Sequence, residues 1–323
     1  MKGPRLLTCR IVVVTFVFLI ASFTHAQSTW TDVAGDDKWS SLTNWSTGVS
    51  PAGTIVIFNE TGIAASSTTV SSIVDGTYAI SGLSFNHTTG TTFYHRLQLA
   101  GELTISSALT TGEVFSVLSN QTSGNHSVSF TGGGSLVINA SGQNFLVQNT
   151  NTAGSNTMNV DLSGLSSFAA TVKEFNMGYG SNQTKANFTL AANTNTLTAT
   201  IMRFGANFGN GGGTNLLKLG KTNTFNADTI IMGSARASTT VSLQSGVTNA
   251  GWTIRGTSGG SSRADLILGI NANAYSTGGI GGSTASTATV NLTGGRWTSF
   301  WMNSCSASPE AWPQSASAMA MAT

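Results

Sequence analysis

Short segments in which apolar and polar residues alternate follow one another along most of the chain, separated by turns rich in Gly, Asn, Ser and Thr. Alternation with a period of two is typical of a β-strand that buries one face. No window shows apolar residues at the 3.6-residue spacing of an amphipathic helix with charged outer positions. The pattern therefore predicts an all-β protein with almost no helix.

Two stretches in the middle of the chain repeat each other. NFTLAANTNTLTATIMRFG at 187–205 aligns with NLLKLGKTNTFNADTIIMG at 215–233, and a slip of one residue places Ile201 opposite Ile230. A dipeptide of one apolar residue and Gly recurs at intervals of 27, 28 and 36 residues, starting at Met177, Phe204, Met232 and Leu268. Self-similarity at such a period indicates a repeat architecture.

One repeat of this kind cannot bury its apolar face alone, so successive repeats are expected to stack with their strands about 4.8 Å apart. Period and composition favour a right-handed parallel β-helix, a β-solenoid, of roughly eight to ten coils and about 40–50 Å in length. In such a stack the Asn-rich turns at 193–196 and 221–224 would lie in rows.

The distribution of proline supports a continuous stack. Proline occurs at positions 4, 51, 309 and 313, so residues 52–308 contain none. Proline cannot donate a hydrogen bond to a β-ladder and is tolerated mainly at edges and bulges. Its absence indicates strands that are paired along the whole stack, with Gly and Asn supplying the turns.

The start of the chain has the pattern of a secretory signal peptide. Lys2, Arg5 and Arg10 precede or begin an apolar run at 11–23, and Thr-His-Ala follows. A spanning helix needs about 20 apolar residues, so this run predicts export, and no membrane span in the mature chain. The predicted organisation is a signal peptide at 1–26, a Trp-rich cap with the first strand at 27–58, solenoid repeats at 59–295, and an irregular tail, truncated or frame-shifted, at 296–323.

Composition and charge narrow the class of partner. After removal of the signal peptide, 11 of the 14 basic residues remain against 12 acidic residues, a balance that argues against nucleic acid or an anionic membrane. Charged residues make up 8% of the chain, which is unlike a disordered protein. Cys305 alone remains of the two cysteines, so a disulfide framework and a thiolate metal site are excluded.

The opening of the predicted mature chain resembles a known group of proteins. Its pattern of Trp30, Trp39, Asn44-Trp45, Gly48 and Pro51 is similar to the N-terminus of bacterial autotransporter-associated β-strand repeat proteins. Phrases such as ISGLSFN and IRGTSGGSSRADLILG are similar to others common in that group. The resemblance implies a large exported β-solenoid without known catalytic residues. Two features depart from the group: a C-terminal barrel or sorting segment, and an Asp after the proline, are missing here.

The tryptophan cluster allows two interpretations. Trp30, Trp39 and Trp45 could stack on sugar rings while Asp36 and Asp37 bind hydroxyl groups, which would make this end a carbohydrate-binding module. Alternatively, the three indoles cover the open end of the first coil, because a solenoid needs an atypical terminal unit over its core. The sequence favours the cap.

Candidate catalytic and metal-binding residues are sparse. After residue 37 the acidic residues stand singly, whereas β-helix glycosidases need paired carboxylates. His87, His95 and His126 have no metal-ligand spacing and are expected at the surface. The sequence implies no catalytic residue, metal or other cofactor.

The sequence thus predicts a non-enzymatic, exported β-solenoid with a structural or adhesive role at the cell surface or in the extracellular matrix. Its expected partners are extracellular polysaccharide or cell surfaces, and self-association is possible on such a fold. A carbohydrate-binding module is the second hypothesis, and a polysaccharide-degrading β-helix enzyme is the third.

Overall fold

A computed structural model describes residues 26–89, 92–121, 124–150, 156–180, 185–207, 213–234, 237–270, 286–293, 295–300 and 302–307. The predicted signal peptide, apart from Ala26, lies outside these residues. In the described residues the one helical element is a 3-10 turn at Leu42–Asn44, and no helix is long and apolar enough to cross a bilayer.

The described chain contains 24 strands. They are β1 Gln27–Thr29, β2 Ile55–Phe58, β3 Ser72–Val74, β4 Tyr78–Ile80, β5 Gly82–His87, β6 Thr92–Leu99, β7 Glu102–Ser106, β8 Glu113–Ser119, β9 Asn125–Thr131, β10 Ser135–Ala140, β11 Asn144–Asn149, β12 Thr157–Asp161, β13 Ser167–Val172, β14 Glu174–Gly180, β15 Lys185–Thr189, β16 Thr194–Asn207, β17 Thr214–Leu219, β18 Thr222–Ser234, β19 Ser238–Leu243, β20 Gly251–Arg255, β21 Ala264–Ile270, β22 Ala288–Asn291, β23 Arg296–Phe300 and β24 Met302–Ala307.

All pairs of named strands are parallel, and the strands form three faces of a solenoid. The first face contains β4, β7, β10, β13, β20, β23 and the N-terminal parts of β16 and β18. The second face contains β1, β2, β5, β8, β11, β14, β21, β24 and the C-terminal parts of β16 and β18. The third face contains β3, β6, β9, β12, β15, β17, β19 and β22.

The predicted β-helix is confirmed, with about seven turns in place of the expected eight to ten. The turns are longer than the central repeat suggested. Ser135 lies 33 residues after its partner Glu102, whereas Thr222 lies 28 residues after Thr194. At about 4.8 Å per level, seven turns extend roughly 35 Å.

A column of phenylalanines runs through the interior of the solenoid. Neighbouring ring centroids are 4.3 to 6.0 Å apart, and every ring is fully buried. Burial of each ring contributes about 1.5–3 kcal/mol, and each aromatic contact adds about 0.5–1.5 kcal/mol. The column consists of Phe58, Phe85, Phe115, Phe145, Phe175, Phe204 and Phe225.

The apolar-Gly dipeptides mark one corner of the stack. Met177, Phe204, Met232 and Leu268 lie opposite one another on successive levels of the second face. The glycine after each has a positive φ of 59° to 72°, which side chains other than glycine rarely adopt. A Cβ atom on Gly205 would also collide with the side chains of Thr239 and Asn215. These glycines therefore allow each coil to turn from the second face towards the third.

The Asn-rich turns lie in a row, as predicted. Asn195 is directly opposite Asn223, and its Nδ2 donates to Asn223 Oδ1 at 3.0 Å. Each amide also bonds backbone groups of its own turn: Asn195 bonds Ala191, and Asn223 bonds Gly220. Both side chains are buried and hydrogen-bonded, so the ladder stabilises two turns at once.

The predicted alignment of Ile201 with Ile230 is wrong. The slip that aligned Ile201 with Ile230 is absent, because Ile201 pairs with Thr229 while Met202 pairs with Ile230. A one-residue slip would have turned Ile201 inward, since side chains alternate between the faces of a strand. In the structure Met202 is fully buried instead.

The expected irregular tail from Arg296 onward is wrong for its first part. Residues 296–300 form β23 and residues 302–307 form β24, which pair with β20 and β21. The last complete turn leaves backbone N–H and C=O groups along these two strands, and the next segment pairs with them although its sequence lacks clear alternation. Residues 308–323 lie outside the described part of the chain.

Candidate functional site

The three tryptophans singled out in the sequence form one buried cluster at the N-terminal end. The ring of Trp45 meets the edges or faces of both Trp30 and Trp39, with centroids 5.0 and 5.2 Å apart. Trp39 Nε1 donates to Ser72 Oγ at 2.6 Å, and Trp45 Nε1 donates to the Trp39 carbonyl at 2.9 Å. All three side chains are 2% exposed or less, so they close the first coil as a lid.

The two predicted sugar-binding aspartates take part in the fold of this lid. Asp36 accepts hydrogen bonds from Asn44 Nδ2 at 2.7 Å and from Ser41 Oγ, and the Ser41 bond is the main reason that the pKa of Asp36 is lowered. Partial burial, and then the nearby charge of Asp32, raise the pKa of Asp37. The Asp37 carbonyl accepts from the backbone N–H of Ile73 at 2.6 Å, which joins the lid to β3.

A buried indole has no open face on which a sugar ring can stack. Trp30 and Trp39 are fully enclosed, and a sugar would reach them only if the lid opened. Exposed apolar side chains do occur in this part of the chain, at Val33 and Val49, but they offer no aromatic surface.

The three histidines expected at the surface are buried, and that expectation is wrong. His87, His95 and His126 are each 1% exposed and lie in β5, β6 and β9, within the first two complete turns, β4–β9. His95 shares its row of the third face with Val128 and Val160, and His126 shares another row with Met158. The alternation along β6 already indicated that His95 is buried, because Phe93, His95 and Leu97 are two residues apart and point to the same, inner face.

These imidazoles form a connected polar cluster. His95 Nε2 lies 3.1 Å from both the Asn59 carbonyl and His87 Nε2. The carbonyl can only accept a hydrogen bond, so His95 Nε2 carries a proton, and His87 Nε2 can contact this N–H only as a second acceptor. His126 Nε2 lies 3.0 Å from Ser119 Oγ. The Nδ1 atoms of all three rings are buried without a hydrogen-bond partner among the described residues.

Burial determines the charge state of the histidine cluster. It lowers the pKa of His95 to about 3 and the pKa values of His87 and His126 to about 4. Mutual repulsion between the rings lowers the pKa values of His87 and His95 further, while Glu60 opposes the shift. The cluster is therefore neutral at pH 7. Within the described residues, no group of three or more His, Cys, Asp or Glu side chains is placed to bind a metal ion.

Arg203 and Glu174 form an ion pair on the second face. Arg203 Nη1 donates to Glu174 Oε2 at 2.6 Å and to Asn176 Oδ1 at 3.0 Å. Partial desolvation alone would raise the pKa of Glu174, but hydrogen bonding to Arg203 and its charge outweigh it and lower the pKa. Both partners are partly buried and bonded to each other, so this pair stabilises the contact between neighbouring coils.

Among the described residues, a groove on the third face is open to a ligand. It has a volume of about 280 Å³ and crosses the outward side of β9, β12, β15 and β17. The register places Ser127, Asn159 and Asn187 in one row along the solenoid axis. Asp161, Thr189 and Lys218 form the parallel row two residues further along each strand.

The groove combines hydrogen-bonding groups of every type with a balanced charge. Asn187 Nδ2 donates to Asn159 Oδ1 at 2.9 Å, so the two amides are held side by side. Asp161 Oδ1 accepts from the Ser163 N–H at 2.8 Å, while its other oxygen has no bond within the described residues. The Lys218 ammonium likewise has no side-chain partner in that part of the chain. Sequence analysis missed this site, although the two repeats at 187–205 and 215–233 supply four of its residues.

Comparisons with known protein families, with curated proteins and with solved structures give no match. The fold and the side-chain chemistry described above are therefore the basis for any functional inference.

Proposed function

We propose that this protein is an exported, non-enzymatic β-solenoid with a structural or adhesive role at the cell surface or in the extracellular matrix. One observation carries the proposal: about seven turns share one hydrophobic core, with polar side chains in register on the outside. Such a stack resists bending because each level is hydrogen-bonded to the next, and its outer rows repeat along the axis.

The proposal includes membership of the autotransporter-associated β-strand repeat type. Its support is the opening pattern of Trp30, Trp39 and Trp45, which builds the lid, together with the glycine corners that recur on successive levels. The resemblance implies a large exported β-solenoid, and a stack of about seven turns with a lid at its N-terminal end is consistent with that. The same assignment gives the signal peptide at 1–26 its role in export.

The solenoid's stiffness can be measured directly. We expect the protein without residues 1–26 to resist trypsin and proteinase K over hours, and its small-angle X-ray scattering to fit an elongated rigid particle. Rapid cleavage within the paired strands, or scattering from a flexible chain, would contradict the structural role.

Adhesion and catalysis need separate assays. Beads that display the protein should adhere to bacterial cells or to polysaccharide-coated surfaces more than beads that display the lid segment 27–58 alone. We expect no release of reducing ends or unsaturated products from a panel of polysaccharides. Turnover of any of them would favour a β-helix enzyme and end the non-enzymatic proposal.

A further inference from the structure

We propose that the groove on the third face binds an extended, uncharged polysaccharide chain, such as a β-1,4-linked glucan, that lies along the solenoid axis. This inference rests on the adhesive part of the proposed function and gives it a ligand class. It also moves the carbohydrate site from the lid tryptophans, which are enclosed, to the side of the stack.

The lining of the groove matches a ligand rich in hydroxyl groups. Carboxylate and hydroxyl oxygens accept hydrogen bonds, ammonium groups donate them, and amides do both. Asp161, Asn187 and Lys218 bring a carboxylate, an amide and an ammonium group to one concave surface, and Ser127 and Thr189 add hydroxyl groups. Leu216, in the same row as Asn187, adds an apolar contact for the C–H face of a sugar ring.

The charge of the groove argues for a neutral chain. Asp161 and Lys218 lie on strands two levels apart, with Thr189 between them, so their charges balance across the site. An anionic chain would gain from Lys218 but would meet repulsion from Asp161, and a cationic chain would meet the reverse. A chain of hydroxyl groups can bond both.

The direction of the groove determines how a bound polysaccharide chain would lie. It crosses four successive strands, which are about 4.8 Å apart, so its floor extends roughly 14 Å along the axis. One sugar unit of an extended chain is about as long as this strand spacing. Each level can therefore contact one unit, and the ordered amide pair of Asn159 and Asn187 serves two neighbouring units.

Binding is expected to be weak in a single groove. None of the residues that line it is aromatic, and the site is open to solvent along its length. We expect a dissociation constant of about 1 mM for cellohexaose, measured by isothermal titration calorimetry or by NMR titration. Polygalacturonate oligomers of similar length should bind more weakly.

Two kinds of variant test the site itself. Asn187→Ala removes an amide of the groove and should weaken cellohexaose binding about five-fold, which corresponds to one lost hydrogen bond. The matched control is Asn139→Ala, an exposed asparagine on β10 in the first face, which should leave binding unchanged. Circular dichroism and the melting temperature establish that both variants are folded.

The charge argument has its own test. Asp161→Asn removes the carboxylate but keeps the shape, so the uncompensated Lys218 should raise the affinity for polygalacturonate at least three-fold at low salt. Cellohexaose binding should change much less.

Three results would overturn the proposal. These are no cellohexaose binding at 10 mM by folded wild-type protein, equal effects of Asn187→Ala and Asn139→Ala, or tighter binding of polygalacturonate than of cellohexaose by the wild type. A protein that resists proteases and adheres to cells but fails these titrations would retain the proposed function and lose only this site.

Discussion

Two regions of the solenoid bury polar groups in different ways. They are the first two complete turns, β4–β9, and the fifth and sixth turns, β16–β19. The first two turns bury three imidazoles whose Nδ1 atoms have no partner among the described residues. The fifth and sixth turns bury Asn195 and Asn223, whose amides bond each other and the backbone of their turns. One region carries an incompletely satisfied polar cluster, and the other a satisfied ladder.

The difference matters because a buried polar group costs free energy only to the extent that its hydrogen bonds are unmade. The asparagine ladder adds stability at any pH, since an amide does not titrate in this range. Burial keeps the histidine cluster neutral in the folded protein, so acid favours the unfolded chain, whose imidazoles take up protons more readily. We therefore expect the two regions to respond alike to loss of apolar contacts and differently to acid.

The largest effect is expected from removal of a ring in the phenylalanine column. Phe225→Ala in β18 leaves a cavity between Phe204 and Trp252, whose ring centroids lie 5.9 and 5.3 Å from that of Phe225. The free energy of unfolding should fall by about 3–5 kcal/mol, measured by urea denaturation. Thr224→Ala, at an outward position of the same strand, is the matched control and should cost less than about 1 kcal/mol. Equal losses would mean that the column does not support the stack.

The next largest effect is expected from acid, and it falls on the first two turns. The pKa of His95 is about 3 when folded and 6.5 in its ordinary environment. Between these values the unfolded chain binds the proton and the folded one does not, so stability falls as the pH drops below 6.5. By pH 4 this residue alone should lower the free energy of unfolding by about 3 kcal/mol. Urea denaturation at pH 7 and pH 4 would detect this difference.

The row that contains His95 supplies the variant for this experiment. His95→Val extends the row of Val128 and Val160 by one level, and it should reduce the loss of stability at pH 4. Glu60, which lies near His87 and His95, has a pKa lowered to about 2 by hydrogen bonds from Thr88 and Thr89, which outweigh desolvation. Its stabilising effect is also lost in acid, so some pH dependence remains in the variant. A pH dependence unchanged from wild type would show that the histidine cluster is not its source.

The solenoid and its asparagine row could be predicted from the sequence. Strand alternation and the apolar-Gly dipeptides identified the solenoid, because both follow from local backbone geometry repeated on each level. The asparagine row followed from the similarity of NTNT and KTNT. Each of these features is set within one coil and its immediate neighbour.

The histidine cluster and the groove needed the three-dimensional register. His95 is buried because its parity matches that of Leu97, but polarity suggested the surface. The groove depends on which residue of one coil faces which of the next. Coil length changes along the groove from 32 residues between Ser127 and Asn159 to 28 between Asn159 and Asn187, so no fixed period could place all three residues in one row.

A smaller effect is expected from the asparagine ladder. Asn223→Ala removes the acceptor for the Gly220 N–H at 3.1 Å and the donor to the Gly251 carbonyl, and leaves these backbone groups unpaired. The free energy of unfolding should fall by about 2 kcal/mol, and by the same amount at pH 7 and pH 4. A cost that grows in acid would remove the distinction between the two regions, and urea denaturation at both pH values tests this.

The smallest effect concerns one glycine turn at the border of the first two turns. Gly101, between β6 and β7, has open space where a Cβ atom would stand, and its φ lies outside the left-handed region. Gly101→Ala should therefore stabilise the protein by about 0.5 kcal/mol, since it restricts the unfolded chain. The matched variant is Gly134→Ala one level above, where a Cβ would collide with the carbonyl of Gly101. Melting temperatures should rise slightly for the first variant and fall for the second, because only the second forces two stacked turns apart.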